Sequence, residues 1–199
     1  MTTPELYLIT PRQLDAAVFG PVLARILDQV PVACVRLSLD SSDVAVLEAV
    51  SESLLSVCDA ADVPLVISEH YRLARRLGLN GVHLDGTKNI RAAREAMAND
   101  AIVGSFCGTS RHAGLTAGEI GADYVSFGPL SDSGLGDDNT ADPDLFEWWS
   151  QMIEVPVVAE GFVTPEALFR VRGSADFIAL GDEIWGTPDP ITALKSLIE

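Results

Sequence analysis

The sequence predicts an α/β fold, a compact single-domain (β/α)8 barrel spanning residues 1–199, on three observations. Eight short apolar or β-branched runs alternate with eight longer segments of helical periodicity, which is the order of a parallel sheet wrapped by helices. The runs are continuously apolar instead of alternating, as strands covered on both faces are. No G-x-G-x-x-G or G-x-x-x-x-G-K-[ST] pattern follows any run, which weighs against a doubly wound open sheet, although periodicity alone does not show closure.

The strands are predicted at residues 6–9, 33–39, 65–67, 81–84, 101–104, 124–127, 157–159 and 177–180. Helices are predicted at 21–29, 43–60, 71–77, 89–98, 109–120, 143–153, 165–171 and 188–198. Thr164-Pro165 and Thr187-Pro188 carry start signals, because proline at the first helical position gives up an N–H that has no helical partner there. Gly78, Gly121 and Gly173 are stop signals, since glycine enters the left-handed conformation that ends many helices.

Composition sets limits on function. With 29 acidic residues against 13 Lys and Arg, the formal charge is −16, a field that repels nucleic acid and anionic membrane. No apolar run approaches the roughly 18 residues of a membrane span, and MTTPELYLIT has no basic start before a long apolar core. The expectation is a cytoplasmic protein acting on a small-molecule ligand. Cys34, Cys58 and Cys107 form no C-x-x-C pair and read as reduced thiols.

Four motifs, in order at strand ends, carry a resemblance. They are Tyr7-Leu8-Ile9-Thr10, Gly81-Val82-His83-Leu84, Gly121-Ala122-Asp123-Tyr124-Val125-Ser126-Phe127-Gly128-Pro129 and Pro156-Val157-Val158-Ala159. Through them the chain resembles, nearly end to end, the thiamine-phosphate synthase and TenI-like family of TIM barrels. The resemblance implies a transferase of thiamine biosynthesis that joins a pyrimidine diphosphate to a thiazole phosphate, releasing pyrophosphate with the help of Mg2+. Such chemistry asks for cations at the leaving group, carboxylates for the metal and glycine-rich turns for the second phosphate.

Set against the family's motifs, the chain keeps some of these groups and replaces others. On the second strand, Q-L-R-E-K becomes Arg36-Leu37-Ser38-Leu39-Asp40, and alternation points Arg36, Ser38 and Asp40 inward. After the third strand N-D becomes Ser68-Glu69, and after the fourth an acid, Asp85, stands two or three residues early; Glu69 and Asp85 are the candidate Mg2+ ligands. The expected catalytic set is Arg36, Ser38 and Glu69. The expected substrate-binding set is Cys107, Ser126, Gly128, Glu160, Gly161, Gly181 and Asp182.

Two departures bear on phosphate. The loop after the sixth strand, Ser131 to Asn139, has three aspartates and lacks the family's lysine. Glu160 stands at the first glycine of the seventh turn and Gly181-Asp182-Glu183 replaces the small polar pair of the eighth, so acids line both rims of the phosphate cradle. Unpaired, they would cost ~1 kcal/mol or more per close contact with a phosphate. Each acid has a plainer reading as a helix cap or as a partner of Arg111, Arg170 or Arg172.

Weaker signals remain open. Cys107 with His83 or His112 has the residue types of a nucleophile and base, but nothing in the spacing brings them together, and a buried thiol explains Cys107 as well. Phe146, Trp148, Trp149 and Trp185 fit either a homodimer contact or the packing of helix on barrel. Two functions follow. One is a divergent synthase; the other is a catalytically inactive barrel that binds a ligand or regulates, or an enzyme for a less anionic substrate.

Overall fold

A computed structural model describes residues 3–132 and 139–198. Its eight strands are β1 (Glu5–Ile9), β2 (Cys34–Leu37), β3 (Leu65–Ser68), β4 (Gly81–Asp85), β5 (Ile102–Phe106), β6 (Tyr124–Phe127), β7 (Val157–Glu160) and β8 (Phe177–Leu180). All pairings are parallel and the sheet is a closed barrel in chain order, with β1 laid against β8 from Glu5↔Phe177 to Leu8↔Leu180.

Strand alternation divides the buried side chains into two layers. One set, including Leu8, Val35, Leu37, Ile67, Val103, Val125 and Leu180, faces the helices and merges with their apolar stripes into the main core. The other set, Tyr7, Cys34, Val66, Tyr124, Val158 and Ala179, fills the barrel itself. A continuous apolar strand therefore feeds two cores at once, which is why these strands lack polar alternation.

The helices among the described residues are α1 (Ala16–Gln29), α2 (Val44–Ala60), α3 (Tyr71–Leu77), α4 (Ile90–Ala96), α5 (Arg111–Glu119), α6 (Pro143–Met152), α7 (Pro165–Val171), α8 (Asp182–Trp185) and α9 (Pro190–Ile198). Thr164 caps α7 by accepting the Ala167 N–H, and Gly78 ends α3 at φ 71°, as their residue types predict. Three starts differ from the expectation by two residues or more, and a side-chain cap sets each; α5 begins at Arg111, not at 109, because Ser110 accepts the Ala113 N–H. Helix α1 begins five residues before Pro21, because the Asp15 carboxylate accepts the Ala17 N–H and sets the first turn, leaving Pro21 inside the helix. Helix α9 begins at Pro190, not at 188, because Asp189 accepts the Ile191 N–H and the Thr192 hydroxyl. Short α8 was not expected; it occupies residues that read as the loop after the eighth strand.

The aromatics of α6 pack inward. Phe146 and Trp149 are buried, Trp149 meets Phe127 edge-on at 5.0 Å between ring centres, and its Nε1 donates to the Val155 carbonyl. Arg111 lies 4.8 Å over the Trp148 ring, and Trp185 Nε1 donates to the Ile9 carbonyl. All three cysteines are buried and free. No described helix is long and apolar enough to cross a membrane.

Candidate active site at the strand C-terminal ends

Inward positions of the strands build a polar column up the barrel. The Tyr7 and Tyr124 hydroxyls lie 2.8 Å apart, and the Tyr124 hydroxyl lies 2.8 Å from His83 Nδ1. Gly104 makes room for this, since a Cβ there would overlap the Tyr124 ring. Burial raises the pKa of both phenols, and burial followed by the nearby Arg36 charge lowers that of His83, so all three are neutral near pH 7. His83 is thereby a hydrogen-bonded interior residue, away from Cys107.

Above the column sits the one buried charge pair found among the described residues. Arg36 donates from both terminal nitrogens to the Glu160 carboxylate, at 2.9 and 3.4 Å, and the two side chains are 9% and 12% exposed. Its guanidinium also lies 5.8 Å from the Tyr7 ring centre. Burial alone would lower the Arg36 pKa, but the Glu160 charge, with Tyr7 and Tyr124, outweighs it and the net shift is upward. The carboxylate at the seventh turn therefore has a partner, and it is none of the three arginines the sequence suggested. Arg36 Nε remains buried with no hydrogen bond, as does Ser126 Oγ on β6.

A cavity of about 450 Å³ opens here, lined by Thr10, Arg12, Arg36, Ser38, Glu160, Gly161, Phe162, Ala179, Gly181, Asp182 and Glu183 among others. Of the expected site residues, Arg36, Ser38, Glu160, Gly161, Gly181 and Asp182 meet in it. The Ser38 N–H donates to Thr10 Oγ1 at 3.1 Å, tying the ends of β1 and β2 together beneath it. A larger hollow of about 540 Å³ lies at the opposite end, among Pro4, Leu27, Val30, Val32 and Ile198. That one is mainly apolar, and barrel chemistry belongs to the strand C-terminal face.

The remaining expected residues lie apart. Glu69 leaves β3 at φ 64°, a left-handed conformation uncommon for a side chain of this size, and its carboxylate accepts the Asp85 N–H. This holds Glu69 on the β3–β4 side of the mouth, where it lines a neighbouring hollow with His70, Tyr71 and Arg72 and does not share the cavity of Glu160 and Asp182. Among the described residues no group of three or more His, Cys, Asp or Glu is placed to hold a metal. Cys107 is buried in the outer core with its thiol on Ser105, and burial pushes its pKa up to about 11. Gly128 packs on the Glu160 backbone carbonyl, a contact that a Cβ would fill. Asp40 is exposed in the loop after β2, its N–H on the Arg12 carbonyl. Residues 133–138 of the aspartate-rich loop lie outside the described residues.

One residue of the mouth, Phe162, was missed, and the hydrogen bonds of another, Glu183, were not foreseen. Phe162 projects from the β7–α7 turn at φ 51° and is 48% exposed beside the cavity. Glu183, which read as one more acid, spans two turns: its Oε2 accepts the Gly181 N–H at 2.8 Å and its Oε1 accepts the Val163 N–H at 2.9 Å. The first bond is legible as a local turn contact two residues apart. The second crosses 20 residues and needs the closed barrel.

The chain is similar to known proteins along nearly its whole length. A family model described as thiamine monophosphate synthase matches residues 6–184. The thiamine-phosphate synthase of Rhodospirillum centenum is 44% identical over 94% of this chain and 92% of its own, and that of Erythrobacter litoralis is 36% identical over 98% and 94%. The solved thiamine phosphate pyrophosphorylase from Pyrococcus furiosus superposes with a TM-score of 0.82 at 20% identity, covering 98% of this chain and 95% of that one, which is a likeness of fold. With relatives this similar along nearly their whole length, and with the match running from β1 into α8, the chain belongs to the thiamine monophosphate synthase family.

Proposed function

We propose that the protein is an enzyme that joins a pyrimidine diphosphate to a thiazole, releasing pyrophosphate, in the cavity around Arg36. The observation that carries the reading is Arg36, a cation fixed by Glu160 in the wall of the cavity at the strand C-terminal ends of a barrel that belongs to this family. A fixed guanidinium at the strand C-terminal face is the kind of group that a diphosphate needs.

Coupling of this kind asks the protein for orientation and for charge at the leaving group, not for a protein nucleophile. Arg36 gives one N–H from each terminal nitrogen to Glu160, so Glu160 fixes the guanidinium and leaves the second N–H of each terminal nitrogen for substrate. Phe162 offers an aromatic face to a flat ring. Glu69 and Asp85, neighbours at the ends of β3 and β4, are the carboxylates that would hold Mg2+ together with the phosphates of a substrate reaching across the mouth from the Arg36 cavity; the strained backbone of Glu69 is what a functional position tolerates. Mg2+ bound there would neutralise charge on the departing pyrophosphate.

Leaving-group cations are fewer than the family pattern provides. Turnover is therefore expected well below that of members with the sixth-loop lysine, by about 10²-fold or more. A steady-state assay with both substrates and Mg2+ tests the reading. Measurable coupling, with Glu69→Gln raising the Mg2+ needed for half-maximal rate, is the expected result. Tight binding of the pyrimidine diphosphate without any turnover would make the barrel a binding module instead.

A further inference from the structure

We infer that the protein forms a two-fold symmetric dimer through the end of the barrel opposite the mouth, Phe169 of each copy entering the apolar hollow of the other. That hollow, of about 540 Å³, has Leu27, Val30 and Val32 on one side and Leu168 and Arg172 on another. Leu168 and Arg172 stand one turn apart along α7 and its C-cap, so one flank of that helix is a wall of the hollow. Phe169, about 100° further round the same helix, turns to solvent and is 79% exposed, more than any other large apolar side chain among the described residues. A knob and a hole on adjoining faces of one helix become self-complementary about a two-fold axis beside it, since each copy offers both.

Charge selects a second copy as the occupant. With 29 acids against 13 Lys and Arg, two copies repel unless they meet where charge is locally balanced. This end offers such a place: Arg172 stands at the hollow with Glu5 and Asp62, and α7 adds Glu166 and Arg170. Among the described residues none of these five has an ion-pair partner within the chain. An anionic small molecule drawn to Arg172 would meet the two acids beside it. A second copy brings both signs, because its Arg172 lies one turn from its Phe169 and arrives at the rim where Glu5 and Asp62 stand.

The two kinds of contact do different work. Each phenyl ring takes about 150–250 Å² of apolar surface out of water and supplies affinity, whereas the rim pairs fix orientation more than they add strength. The aromatics of α6 that suggested a homodimer contact from sequence are not part of this surface, for Phe146 and Trp149 are buried in the chain's own core. Assembly through this end leaves both mouths open, since barrel chemistry belongs to the strand C-terminal face. The inference does not depend on the reaction proposed above.

Sedimentation equilibrium from about 1 to about 100 µM protein tests it, because a dimer is populated by mass action. The wild type should move toward twice the 21.2 kDa of the chain as concentration rises. Phe169→Asp should weaken the dimer about thirtyfold or more, as loss of a central aromatic does. Val32→Trp, which fills the hollow from its rim and leaves Phe169 in place, should weaken it as well. An unchanged far-ultraviolet circular dichroism spectrum in both variants separates lost assembly from lost folding. Arg172→Glu should weaken the dimer about fivefold, and Glu5→Lys added to the same chain should restore most of that loss. A wild type that stays at 21.2 kDa throughout overturns the inference, as does a dimer that Phe169→Asp leaves intact or a charge swap that deepens the loss. Binding of 1-anilinonaphthalene-8-sulfonate to a monomeric wild type, blocked by Val32→Trp, would make the hollow a small-molecule site instead.

Discussion

Arg36 is a guanidinium enclosed by barrel wall with a single carboxylate for company, and the energetics of such a pair are lopsided. Desolvating both charges nearly cancels their attraction, so the pair adds little to stability as a whole, yet removing one member strands the other. Glu160→Gly is accordingly expected to destabilise the fold by about 3–5 kcal/mol in urea denaturation, and Arg36→Met with Glu160→Leu to recover most of that loss. An equal loss in the double variant would argue against the pair as the cause. The expectation that acids at the seventh turn merely repel phosphate is revised by the same observation, for Glu160 already has its cation. His83 gives a second test. Its folded pKa lies below the unfolded value near 6.5, so the unfolded chain binds a proton that the native state refuses, and stability falls as pH drops below about 6.5. The advantage of wild type over His83→Gln should shrink by up to about 1 kcal/mol between pH 6.5 and 5.5. A constant difference across that range would place the titration elsewhere.

At the level of elements, helix α5 illustrates how packing overrides propensity. A Cβ on Gly114 would come within 2.7 Å of both the Phe127 and Trp149 rings, so glycine there is where helix, strand β6 and helix α6 close on one another. Gly114→Ala gains about 1 kcal/mol of helix propensity but costs about 1–3 kcal/mol in overpacking. A net loss in melting temperature is expected, and a gain would mean that the rings move aside freely. The strands and most helices were legible because their signals are local: apolar runs, Thr164 before Pro165, Gly78 after Leu77. What was not legible depends on partners far away in sequence. Asp15 and Asp189 outcompeted the proline signals by side-chain capping, and α8 is a single turn of DEIW too short to carry periodicity. The site divides likewise, since alternation alone placed Arg36 and Ser38 inward, whereas the partner of Glu160, 124 residues away, required closure of the barrel.

For the molecule as a whole, a net charge of −16 on 199 residues is a standing self-repulsion that the compact state feels more than the unfolded one. Raising sodium chloride from 10 to 100 mM shortens the screening length from about 30 to about 10 Å, which relieves that repulsion. The melting temperature should rise by about 2–4 °C if screening is worth ~1 kcal/mol. A fall on adding salt would mean that attractive pairs such as Arg36–Glu160, and not repulsion, dominate the electrostatics.

The seam between β1 and β8 has a consequence for how the protein comes into being. The strand made first is paired on one side by the strand made last, Glu5 to Leu8 against Phe177 to Leu180. While the ribosome works through the residues between, roughly 10–30 s at ordinary elongation rates, β1 can find β2 but must leave its other edge bare. An unsatisfied parallel edge is a template for any passing strand. Nascent chains arrested just after α7 should therefore aggregate or be held by chaperones, whereas chains arrested far enough past Leu180 to free it from the exit tunnel should become protease-resistant, the birth of the barrel being set by its final strand.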